Sequence, residues 1–178
     1  SGTGLTLGAN TLTVSGAGTL SNTNALTLDN ADSVFRVTGT NSLSGAVALN
    51  AGKLDIDETS TISGVLTLGG NAEIDVASGK TLTYSGAAMA LGANTLTVTG
   101  AGALANANSL TLDNADSVFK VTGTNTLSGA VALNAGKLDI DETSTISGAL
   151  TLGGNAEIDV ANGKTLTYSG TGLTLGAN

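Results

Sequence analysis

Asp55, Asp57, Glu58 and Asp75 are the residues in this chain whose type and spacing could do chemistry. Clustered carboxylates can take up a divalent cation through their oxygens. They can also hold a sugar or work as acid and base on one. The group recurs, with Asp139 and Asp159 standing where Asp55 and Asp75 stand. An enzyme seldom needs the same site in every tandem copy, so the recurrence argues against catalysis. The chain has no His and no Cys. Its many Ser and Thr lack the neighbouring base that a nucleophile needs. The Gly-rich calcium nonapeptide G-G-x-G-x-D-x-U-x is not matched either: LGGNAEIDV (68–76) begins like it but lacks the third Gly and the Asp spacing. No catalytic residue and no cofactor is expected, and the four carboxylates remain the candidates for a metal ion.

The elements that position these residues come from a repeat. Residues 1–84 and 85–168 differ at 13 of 84 positions, and 169–178 restates the opening SGTGLTLGAN as a partial third copy. The chain is read as one solenoid segment, cut from or built as part of a longer array. Within each copy, apolar triplets start at Leu5, Leu26, Val47 and Leu66, then at Met89, Leu110, Val131 and Leu150, and again at Leu173. The average step is 21, so four units make one copy. Each unit holds three short pieces of strict alternation, such as VAL (47–49), LDID (54–57) and TIS (61–63). Period-two alternation marks strands with one buried face, and the Gly-rich breaks leave no room for helices.

Stacking the units lines up three apolar columns: Leu7, Leu28, Leu49 and Leu68; Val14, Val37, Ile56 and Val76; and Leu20, Leu43, Ile62 and Leu82. The second copy continues each column: Leu91, Leu112, Leu133 and Leu152; Val98, Val121, Ile140 and Val160; Leu104, Leu127, Ile146 and Leu166. Three inward pieces per unit predict an all-β, right-handed parallel β-helix with three strands per coil and about 21 residues per coil. Phe35 and Phe119 are expected in its core. Tyr84 and Tyr168 either cap a corner or contact a neighbour.

On the outside, the second strand presents Thr13, Arg36, Asp55, Asp75, Thr97, Lys120, Asp139 and Asp159. Arg36 falls one coil from Asp55 and Lys120 one coil from Asp139, so the charge pairing survives the Arg-to-Lys difference. Asp32, Lys53 and Glu73 form a similar series, repeated at Asp116, Lys137 and Glu157. Solvated ladders that fix register are the plainer account of these charges. A bound cation relieving the like-charged Asp55 and Asp75 is the alternative.

Composition narrows the partners. The net charge is −8 with six basic residues, so the basic footprint of a nucleic-acid binder is missing. No stretch approaches the roughly 18 apolar residues of a membrane-spanning helix, and no membrane insertion is expected. The chain shows no initiating Met and no signal peptide, which reads as a mature piece or an excised fragment.

The phrases LTLGANTLTVSGAGTL and GAVALNAGKLDID resemble the passenger repeats of bacterial autotransporters and filamentous-haemagglutinin-type adhesins. The resemblance covers the whole chain as a style of Gly-Ala-Asn turns and Leu-Thr-Leu strands. It implies export across a bacterial envelope, an extracellular or cell-surface location, and a role as stalk, adhesin or matrix fibre. Neither end of the sequence shows a cap, so head-to-tail stacking on itself, or continuation in a longer tandem array, is expected. The alternative is a repeat module binding host or matrix glycans or calcium, on the cell surface or in an S-layer or biofilm matrix. Ice is a further possible ligand of the threonines, but their rows do not run through every coil in the sequence alignment. A polysaccharide-processing enzyme would need one broken repeat with a deep groove, and none is visible.

Overall fold

The computed structural model describes residues 4–21, 24–106, 108–123 and 125–175. The triplet at Leu5 is therefore described, while the first three residues of the opening phrase and 176–178 of its closing restatement lie outside. The fold is an all-β parallel solenoid of about eight turns. Each turn contributes one strand to each of three walls. In the third turn these are Val47–Leu49, Lys53–Ile56 and Ser60–Ile62. Every strand pairs in parallel with its counterpart one turn away: Leu26 opposite Val47, Val37 opposite Ile56, Leu43 opposite Ile62.

The second wall is one sheet of eight strands, from Thr11–Val14 to Glu157–Val160. The first wall divides into sheets of four and five strands, and the third into sheets of five and three. Alternation explains the tube. In Lys53–Ile56, Leu54 and Ile56 are wholly buried while Lys53 and Asp55 face outward. Leu28, Leu49, Val37, Ile56, Val76, Ile62 and Leu82 show no exposed surface, and Leu7 and Leu43 very little. Val14, Leu20 and Leu68 are partly buried against the same core. Phe35 and Phe119 are fully enclosed.

Two of the expected registers are not kept, one of them in both copies. In the third wall Ile62 lies opposite Tyr84, and Leu82 lies opposite Ser60. In the second wall Val98 lies opposite Ile74, not Val76, and Thr99 lies opposite Asp75. Both are slips of two residues. An even slip keeps each side chain on its own face, so the buried set stays buried. The third-wall slip recurs in the second copy, where Ile146 faces Tyr168.

The slip carries Tyr84 into the core, where it is 1% exposed. Its hydroxyl accepts from the Leu66 N–H at 3.2 Å and donates to the Ala87 carbonyl at 2.7 Å. That contact falls where the first wall divides, between Leu66–Leu68 and Met89–Ala90. At the equivalent step of the second copy Leu150 pairs with Leu173, and the Leu150 N–H meets the Gly172 carbonyl. Gly172 stands where the first junction has Ala88.

The third wall also turns polar residues inward. Asn41 and Ser60 are buried, as are Asn125 and Ser144 in the second copy. The Asn41 side-chain amide donates to the carbonyls of Gly16 and Gly39 at 3.0 and 2.9 Å, and the Ser60 hydroxyl donates to the Glu58 carbonyl at 2.9 Å. Buried polar groups of this kind are tolerated where the corner backbone supplies their partners; the Asn125 side-chain oxygen is the exception among the described residues, with no partner.

Candidate functional site: the charged second wall

Outward positions of the second wall alternate with core positions, so each charge is held by a strand whose neighbours are anchored inside. Arg36 lies opposite Asp55, and Asp55 lies opposite Asp75. The Arg36 guanidinium approaches Asp55 at 3.6 Å but reaches past it to Asp57, at 2.6 Å. Lys53 inserts its ammonium among three carboxylates: 2.6 Å from Asp75, 3.8 Å from Glu73 and 3.9 Å from Asp55. Glu58 is bound by Lys80 at 2.6 Å. All four candidate carboxylates are thus engaged by cations of the chain itself. Among the described residues no three acidic side chains converge in a way that would hold a metal ion.

The second copy builds the same wall with Lys120 in place of Arg36. Lys120 bonds both Asp139, at 2.8 Å, and Asp141, at 2.6 Å. Lys137 bonds Asp159 at 2.7 Å and lies 3.6 Å from Asp139. Lys164 grips Glu142 through both carboxylate oxygens, at 2.7 and 2.8 Å.

The Arg-to-Lys exchange leaves the two matching aspartates in different electrostatic states. The hydrogen bond from Lys120 holds the Asp139 carboxyl below its ordinary range, with Lys137 adding to the effect. Asp55 is pushed up, first by burial and then by the nearby charges of Asp57 and Asp75, against the pull of Lys53 and Arg36. The cations respond to their own partners. Arg36 is raised chiefly by its bond to Asp57, and Lys120 by its bonds to Asp139 and Asp141. Lys53 is opposed by burial, yet Asp75, Asp55 and Glu73 together raise it.

Several features escaped the sequence alignment. Asp32 does not join the Lys53 series: Val34 lies opposite Lys53, and Asp32 donates its N–H to the Asn30 side chain within a turn. Thr97 meets Glu73 and Lys120, while the neighbour of Asp75 is Thr99. Thr99 instead donates its hydroxyl to Glu73 at 2.9 Å. The Lys80–Glu58 and Lys164–Glu142 pairs need the third-wall slip to bring them together, and a uniform stacking hides them.

The outer face of the third wall is uncharged along its strands. Thr19, Ser42, Thr61 and Thr83 lie on successive strands, followed by Ala105. Thr126, Thr145 and Thr167 continue the pattern in the second copy. The slip exchanges one threonine of this row for another, setting Thr83 over Thr61 where uniform stacking would set Thr81.

Parallel walls, an aliphatic interior and a ladder of paired charges place the chain in the class of parallel β-solenoids. Comparison with protein-family models, with curated proteins and with solved structures gave no match.

Proposed function

We propose that this chain is a non-enzymatic structural rod, a segment of an extracellular bacterial surface fibre, filament or adhesin stalk. One observation carries the reading: in both copies the carboxylates that could serve a reaction or a ligand are instead paired with lysine or arginine, most of them bonded across turns. Charges used this way hold neighbouring turns in register. Repetition with so little variation suits an element whose product is length.

The rod also has a reason to continue. Leu5 and Leu173, at opposite ends of the first wall, are 53% and 56% exposed, and Ile158 and Val160 are exposed in the last strand of the second wall. A further turn of the same pattern covers such apolar columns, supplied by more of the same polypeptide or by a second copy stacked head to tail. The test is a series of proteins with two, three and four copies, measured by electron microscopy and small-angle scattering. Each added copy lengthens the particle by about 19 Å, from four strand spacings of about 4.8 Å. Sedimentation velocity of the 178-residue protein across concentration reports the stacking, and Ile158→Lys weakens it. Particles whose length does not follow copy number overturn the rod.

The uncharged threonine row of the third wall favours a second reading, a repeat module that binds glycans. A glycan array probed with the protein and with Thr61→Val, Thr83→Val separates the two. Binding that the double variant abolishes supports the module.

A further inference from the structure

One corner differs chemically between the two copies. In the second copy the chain turns from Glu157–Val160 to Leu166–Tyr168 over residues 161–164, closed by the Lys164 N–H on the Ala161 carbonyl at 3.0 Å. Gly163 sits there at φ +76°. The first copy makes the same turn over 77–80, with Lys80 on Ala77 at 3.0 Å and Gly79 at φ +72°. Ser78 of the first copy is replaced by Asn162 in the second. Asn162 is the chain's single asparagine followed by glycine. Its side chain is exposed, and among the described residues neither that side chain nor the Gly163 N–H finds a hydrogen-bond partner. The space beside the Gly163 Cα is open, with no atom within 4 Å of where a Cβ would stand.

We propose that Asn162–Gly163 is a modification site, at which the folded rod deamidates spontaneously. The Gly163 backbone nitrogen gives its proton to water and attacks the Asn162 Cγ. A C–N bond forms, the bond from Cγ to the side-chain nitrogen breaks, and that nitrogen leaves as ammonia after taking a proton from water. The five-membered succinimide then adds water at either carbonyl and opens to aspartate or isoaspartate. Nothing is oxidised or reduced, and water is the only co-reactant. Glycine matters because it has no Cβ to obstruct the attack and gives the turn freedom to approach ring geometry. The product places a new carboxylate two residues from Lys164, whose ammonium already holds Glu142. The isoaspartate form also adds a methylene to the backbone of the corner. The first copy, with Ser78, has no such chemistry and serves as an internal control.

The folded protein is held in warm neutral buffer, digested with trypsin and analysed by mass spectrometry. The peptides 138–164 and 54–80 are the matched pair. The expected result is a mass gain in 138–164, mapped to Asn162, several-fold faster than any gain at Asn155 in the same peptide or at Asn71 in its counterpart. Isoaspartyl methyltransferase labels the aged protein, and Asn162→Ser, which installs the residue of the first copy, loses both signals. Deamidation at Asn162 no faster than at Asn155, or seen only after denaturation, overturns the proposal.

Discussion

Asp139 and Asp55 occupy the same place in two nearly identical copies, yet their carboxyls are driven in opposite directions. Burial is the first cause for Asp55, and its cations do not offset it. Lys120 hydrogen-bonds Asp139 as well as Asp141, while the forked guanidinium of Arg36 stays 3.6 Å from Asp55 and closes on Asp57. The linkage follows from the signs. A carboxylate with a depressed folded-state pKa adds stability above its unfolded value, and that stability fades as pH falls through the folded value. Asp139→Asn therefore lowers Tm at neutral pH, and the deficit disappears on the acid side of about pH 4. A carboxyl with a raised pKa contributes only in acid and loses that contribution as pH rises through it. Asp55→Asn is accordingly expected not to lower Tm at neutral pH. The pairs are partly exposed, so the Asp139 effect is about 1 kcal/mol or less. Thermal melts of both variants across pH check the contrast. Tyr84→Phe gives a larger effect, because it leaves the buried Leu66 N–H without its partner and removes the bond to the Ala87 carbonyl. Its cost is about 1–3 kcal/mol in urea unfolding. Tyr168→Phe costs less, since that hydroxyl bonds Gly172 in an exposed setting.

At the scale of strands and corners, stability comes from columns. Leu49 is fully enclosed between Leu28 and Leu68, whereas Leu5 is half exposed. Leu49→Ala is expected to destabilise by about 2–5 kcal/mol and Leu5→Ala by far less, as read from denaturant midpoints. Corners follow a different rule. Gly64 stacks over Gly45 so closely that a Cβ would run into the Gly45 carbonyl. The alternation and the apolar triplets made the parallel stacking legible, because a period of two names the buried face of each strand. The slips were silent for the same reason: moving Ile62 from Leu82 to Tyr84 changes no residue from inside to outside. With them went the Glu58–Lys80 pair and the role of the Tyr84 hydroxyl. The candidate carboxylates were legible as a cluster, but their engagement was only half visible. Arg36 beside Asp55 can be counted off in the sequence, while Lys53 leaning across to Asp75 depends on side-chain direction.

For the molecule as a whole, each turn touches its neighbours and little else, so stability should grow with the number of turns. Proteins of two, three and four copies are expected to unfold in urea at rising midpoints, measured by circular dichroism. A midpoint that stays level from two copies to four would mean that the turns unfold as independent blocks. The junction between copies adds a geometric consequence. Where Val98 settles over Ile74, the second-wall strand of the later copy is offset two residues, or about 7 Å, from the one before it, while the first wall keeps its register where Leu150 meets Leu173. In an array that repeats this junction, the second-wall charges of successive copies will stand in offset groups and not in one straight file, so a flat partner would meet each group separately.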